Sequence, residues 1–217
     1  MALAPSVATA QQPELEPVPL LLPWDLRLTP EQFVRVCQAN PEAVLELAAD
    51  GHLIAMTPTG GETGARNLRL GHRLLLWADG AGDGAWIAFD SSTGFLLPDR
   101  SVLSPDLSLL RMERWQAMSP EQRRGFPPLC PELVVELASP SDEGPCGVTG
   151  LRRKMALYQA NSARLGWLLL PQERAVEIWR GGQQGDGAKA GQRQPGRWQR
   201  ASGRAGVGSG GDLGGMS

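Results

Sequence analysis

Cysteine occurs three times, tyrosine once and histidine twice in this chain of 217 residues. Cys37, Cys130 and Cys146 lie far apart and form no CxxC pair. An odd count without paired spacing predicts neither a disulfide framework nor a zinc knuckle, and points to a reducing, cytoplasmic setting. No apolar run approaches the roughly eighteen residues that a membrane span needs. The first 23 residues hold five prolines and lack a basic start followed by an apolar core, so no secretory leader is expected there. A large excess of either charge is also missing. The formal net charge of -2 excludes nucleic-acid binding through bulk positive charge and leaves only a local basic surface or a metal for that role.

What is present is a chain with 41% hydrophobic residues, enough for one domain with its own core. Composition divides it into a loose arm at 1–23, a folded domain at 24–180 and a tail at 181–217. The tail carries 13 glycines together with Arg193, Arg197, Arg200 and Arg204, and is expected to be mostly mobile, with one edge strand near Trp198. Within the domain, Thr29-Pro30 opens a helix, and Asp50-Gly51 between two short apolar runs predicts a hairpin. Residues 61–80 read as a helix with Ala65, Leu68, His72, Leu75 and Leu76 on its apolar face, which makes His72 a core histidine; His52 belongs to the surface. "AWIAF", "TGFLL", "PDLSLL" and the more strongly apolar "PELVVELAS" read as strands, the last suited to a sheet centre. "LRRKMALYQAN" is an amphipathic helix, and "LGWLLL" and "AVEIWR" close the domain as a hairpin. The order predicts an α/β or α+β sandwich with a curved mixed sheet.

Three positions do not fit a plain core. Asp106 starts "PDLSLL", Glu136 sits amid Val134, Val135 and Leu137, and Lys154 borders the apolar face of the following helix. Strand alternation puts Glu136 on one face with Val134 and Ala138. A carboxylate projecting from a buried sheet needs a cation, either a metal ion or a lysine. Two carboxylates with a lysine make a plausible hydrolytic site, in which oxygen ligands hold a hard divalent ion and the ammonium orients water or meets developing charge. The alternatives are an ion-paired Glu136, a turn residue at Asp106 and a snorkelling Lys154.

The strings "LAADGHLIAMTPTGGETGARNLRLGHRL", "SSTGFLLPDRSVLSPDLSLL", "PELVVELASPSDEG" and "LRRKMALYQANSARLGWLLLPQERAVEIWR", in this order, resemble the Uma-type putative restriction endonuclease family of the PD-(D/E)XK nuclease superfamily. The resemblance covers about residues 25–180. It implies a restriction-endonuclease-like fold and metal-dependent phosphodiester hydrolysis, with Asp106 and Glu136 binding Mg2+ or Mn2+ and Lys154 as the catalytic lysine. The lysine that the superfamily places two residues after the acid is Ala138 here. The loop "DEGPCGVTG" before the helix is richer in glycine and proline than the family's. Glu62 is a further candidate metal ligand by the family's pattern, although a carboxylate in the first turn of a helix is also favoured by the helix dipole.

Other residues carry weaker signals. Arg152 and Arg153, beside Lys154, are the expected nucleic-acid contacts. Arg66, Arg69 and Arg73 recur at helical spacing and read as a solvated face, Ser91, Ser92 and Thr93 as sheet hydroxyls. Trp77, Trp86, Trp167 and Trp179 read as core or subunit interface. The expected function is a divalent-metal-dependent endonuclease acting on DNA as a homodimer, since cutting both strands takes two sites. A non-catalytic nucleic-acid or protein-interaction domain that kept the fold is the alternative, and a structural protein with arginine-paired carboxylates is the third reading.

Overall fold

The computed structural model describes residues 23, 25–80, 84–142 and 147–181, with the backbone of 192–195. Thr29 caps α1 (Pro30–Ala39) through a reciprocal capping box with Gln32, so the helix begins where "TPEQ" places it. β1 (Leu45–Leu47) and β2 (Leu53–Ala55) form the expected hairpin, with Gly51 at φ +86° in its turn. An added Cβ at Gly51 would stand 2.8 Å from the Leu28 carbonyl oxygen, so the turn requires glycine twice over. α2 (Gly61–Asp79), β3 (Trp86–Asp90), β4 (Phe95–Leu96), β5 (Val102–Leu103) and β6 (Leu107–Arg111) follow. Two short helices come next, α3 (Met112–Ala117) and α4 (Pro120–Arg124), and then β7 (Leu133–Leu137), α5 (Gly147–Ala160), β8 (Leu165–Leu170), β9 (Ala175–Arg180) and β10 (Gln192–Pro195).

The strands make two sheets, ordered β2-β1-β5-β4 and β10-β9-β8-β7-β6-β3. In the larger sheet β7 and β8 run parallel, joined by α5, while β3–β6, β6–β7, β8–β9 and β9–β10 are antiparallel. All five residues of β7 are buried, as its apolar run requires of a central strand. Val134 and Ala138 pack on one face with Met155 and Tyr158 of α5. Val135 and Leu133 pack on the other with Leu74 and Ala78 of α2. The smaller sheet packs Leu47 and Val102 against Phe33 of α1.

Several sequence expectations are corrected. α2 turns its other face inward: Thr63, Leu74 and Ala78 are buried, whereas Leu68, Leu75 and Leu76 are 75%, 47% and 59% exposed. Ala65 and His72 are exposed with them, so His72 is not a core residue. The reason is close approach. A Cβ at Gly71 would come within 3.0 Å of Leu107 Cδ2, so the helix meets the sheet on its side of small residues. Ser91 and Ser92 lie in a turn after β3 rather than in a strand, and Ser92 donates to Asp90 through both its N–H and its hydroxyl. Part of the glycine-rich stretch before Lys154 is helical, because α5 begins at Gly147 and includes Gly150. Of the tryptophans, Trp179 is buried and Trp77 is 44% exposed, facing Trp86 at 6.0 Å. Cys37 and Cys130 are free thiols. Residues 1–22 of the N-terminal arm, Cys146 and Trp198 lie outside the described residues.

Candidate active site

Glu136 occupies the fourth position of β7, where alternation turns it towards α5. Lys154 lies one helical turn before Tyr158 on α5, so the two side chains reach the same carboxylate. Lys154 Nζ stands 3.0 Å from Glu136 Oε1, and the Tyr158 hydroxyl donates to that oxygen at 3.0 Å. Asp106, just before β6, is tied to the same strand, accepting from the Leu137 N–H at Oδ2 over 2.7 Å. Strand, helix and the Ser104-Pro105-Asp106 turn thus bring Asp106, Glu136 and Lys154 together, as their positions in the sequence suggest.

Sequence reasoning did not find Glu46. It lies in β1 between Leu45 and Leu47, is 3% exposed, and places Oε1 at 2.9 Å from Lys154 Nζ. Its Oε1 also accepts from the Ser104 N–H at 2.7 Å, and the Ser104 carbonyl accepts from Lys154 at 3.1 Å. The turn that carries Asp106 is therefore held by both ends of one ion pair. The rule that singled out Glu136, a carboxylate flanked by apolar residues in a strand, applied equally to "LEL". Tyr158 of α5 is the other participant that sequence reasoning missed.

The electrostatics follow from burial. Loss of water raises the Glu136 carboxyl to about 7, with Asp106 and Glu46 adding to the rise and Lys154 opposing it. Burial likewise raises Asp106, against the Leu137 N–H and Lys154. Burial works against the Lys154 ammonium, but Glu136 and Glu46 outweigh it and hold the group above its ordinary value. Glu46 and Glu136 contact the one ammonium and Asp106 lies within reach of its charge, so three carboxyl groups face a single cation.

This excess of carboxyl groups sets a pH dependence for the metal-free protein. The folded-state value of Glu136 lies above the usual 4.5, so the unfolded chain loses this proton first as pH rises. Its contribution to stability is fullest below 4.5 and is lost towards about 7. Glu136→Gln, which stays neutral, should gain stability relative to the wild type across that window. Urea unfolding in chelator at a series of pH values reads the difference, and a flat difference contradicts the assignment.

Among the described residues, no three His, Cys, Asp or Glu side chains close a metal shell by themselves. The donors present suit a hard divalent ion of the magnesium kind, which takes one or two carboxylates and fills the remaining positions with water and substrate oxygens. None of the hydrogen bonds above uses Asp106 Oδ1 or Glu136 Oε2, and three carboxyl groups facing one ammonium favour a cation.

The other candidates lie apart. Glu62, in the first turn of α2, binds Arg66 Nη2 at 2.5 Å on an exposed face and makes no hydrogen bond or ion pair with the cluster. Arg152 clamps the buried Glu177 of β9, with Nε 3.1 Å from both carboxylate oxygens. Its charge is spent on that partner. Arg153 is exposed beside Lys154.

A curved mixed sheet flanked by helices, with paired acids at its centre and a helix packed over them, defines a restriction-endonuclease-like fold. The chain belongs to the Uma2 family, described as putative restriction endonuclease, whose model matches residues 30–203. Its structure is similar to the crystal structure of a putative nuclease belonging to DUF820 from Anabaena variabilis. The TM-score is 0.56 at 19% identity, over 75% of this chain and 83% of that one. At that identity the likeness speaks for the fold. No curated protein matches the chain. No helix among the described residues is long and apolar enough to cross a membrane.

Proposed function

We propose that this chain is a divalent-metal-dependent endonuclease that hydrolyses phosphodiester bonds in DNA. The observation that carries this reading is the convergence of Asp106, Glu136 and Lys154 on one end of β7, with Lys154 Nζ 3.0 Å from Glu136. Asp106 and Glu136 would hold Mg2+ or Mn2+ through oxygens that the protein's own hydrogen bonds leave unused. The ion, when bound, would lower the pKa of a water and offset charge on the phosphate. Tyr158 fixes the orientation of Glu136 by donating to Oε1. Glu46 and the Ser104 carbonyl fix the ammonium of Lys154 beside Glu136, where its charge would offset the negative charge that develops on the phosphate. Arg153 is the nearby exposed cation for the phosphate backbone. Cutting both strands takes two centres, and we place the second in another copy of the chain. The exposed apolar face of α2 gives such a dimer a surface, and light scattering of the purified protein tests it.

A second reading, a non-catalytic nucleic-acid or protein-interaction domain, has one observation in its favour. The three ammonium donors of Lys154 have three acceptors in Glu46, Glu136 and Ser104, which is also what a purely structural ion cluster requires. Supercoiled plasmid separates the two. The wild type should nick or linearise it with Mg2+ or Mn2+ and leave it intact in chelator. Intact plasmid with every divalent ion tried favours the second reading.

A further inference from the structure

Leu137 has two sides. Its N–H holds Asp106, while its side chain, on the opposite face of the sheet from Glu136, lines a cleft of about 380 Å³. Leu70, Leu169 and Val176 share the apolar floor. Arg66, Arg69 and Arg73 from α2 and Arg174 from the turn between β8 and β9 also line it. Arg66 is bound to Glu62. The exposed guanidinium groups of Arg69, Arg73 and Arg174 take part in no hydrogen bond or ion pair among the described residues. Arg174 holds φ at +49°, a left-handed conformation that residues other than glycine seldom adopt. Its N–H closes the turn onto the Pro171 carbonyl at 3.2 Å.

Unpaired guanidinium groups beside an apolar floor call for an amphiphilic anion. A free phosphate would match the arginines and leave the leucines uncovered. A nucleotide matches both, because its phosphates accept the planar forks of arginine and its base covers apolar surface. The cleft lies at the low end of the volumes usual for small-ligand sites, which suits one nucleotide rather than a duplex.

We propose that this cleft seats one unpaired nucleotide of a nucleic-acid strand, its base over Leu137, Leu169 and Val176 and its flanking phosphates on Arg69, Arg73 and Arg174. The identity of the strand rests on the nuclease reading above. Seated there, the strand runs past the end of β7 and continues towards Asp106 and Glu136. The enzyme then grips single-stranded or locally opened nucleic acid more tightly than intact duplex.

Fluorescence anisotropy with the full chain in chelator tests this without cleavage. The probes are a fluorescein-labelled oligothymidylate, a duplex of the same length and an abasic strand of the same length. The oligothymidylate should bind more tightly than the duplex, and the abasic strand about tenfold or more weakly. The triple variant Arg69→Gln/Arg73→Gln/Arg174→Gln should lose at least about tenfold in affinity and lower the salt-dependence slope by about two. Arg35→Gln, an exposed change on α1, should bind as the wild type does. Unchanged affinity in a triple variant with a normal melting curve overturns the proposal, as does an abasic strand bound as tightly as oligothymidylate. Because no metal is present, inactivity on plasmid leaves this result untouched. Retained cleavage by a triple variant of unaltered affinity sinks the cleft alone.

Discussion

Lys154→Met is expected to lower the unfolding free energy of the metal-free protein at neutral pH by about 3–5 kcal/mol, the usual cost of removing one partner from a buried ion pair. The side chain is 14% exposed, and its ammonium serves two carboxylates that are each 4% exposed. Methionine keeps much of the volume of lysine, so packing around Met155 and Tyr158 survives while Glu46 and Glu136 are left without a cation. The Ser104 carbonyl also loses its donor, which loosens the turn that carries Asp106. The loss should shrink on acidification, as the stranded carboxyls take up protons. Mn2+ should stabilise the variant more than it stabilises the wild type, because a dication replaces the missing charge. Urea unfolding with and without Mn2+ reads both effects. A variant as stable as the wild type at pH 7 contradicts the ion cluster.

The second large effect is expected of Glu136→Gln in cleavage. Losing one of two carboxylates removes several kcal/mol of electrostatic stabilisation from a metal-assisted step, so plasmid cleavage should fall by about a thousandfold. The fold should be unharmed. Glutamine still accepts from the Tyr158 hydroxyl, Lys154 keeps Glu46, and a buried charge that burial, Asp106 and Glu46 all oppose is gone. A stable but inactive variant separates chemistry from folding, which Lys154→Met cannot do. Cleavage at the wild-type rate would place the chemistry elsewhere.

What could be read in the sequence was local. Strand alternation put Glu136 on the face shared with Val134 and Ala138, and the helix period put Lys154 at the border of the apolar face of α5. "TPEQ" marks the start of α1, and the equivalent pattern "SPEQ" opens α4, where Ser119 and Gln122 repeat the capping box. What could not be read depends on contacts between distant segments. Glu46 reaches Lys154 only because the smaller sheet closes over the Ser104 turn, and Arg152 is neutralised by Glu177, 25 residues further along. The buried face of α2 defeats periodicity for a physical reason. Its larger apolar residues point outward because Gly71 and Ala78 let the helix lie close to Leu107 and its neighbours. The arginines flanking that stripe, read as a solvated face, line the cleft instead.

The claim that Asp106 and Glu136 form a metal centre is tested most directly by titrating Mn2+ into the wild type and into Asp106→Asn by isothermal calorimetry. The wild type should bind the ion, and the variant should bind it at least about tenfold more weakly while its melting curve stays close to that of the wild type. Equal binding by the two proteins, or no binding by the wild type, would contradict the account.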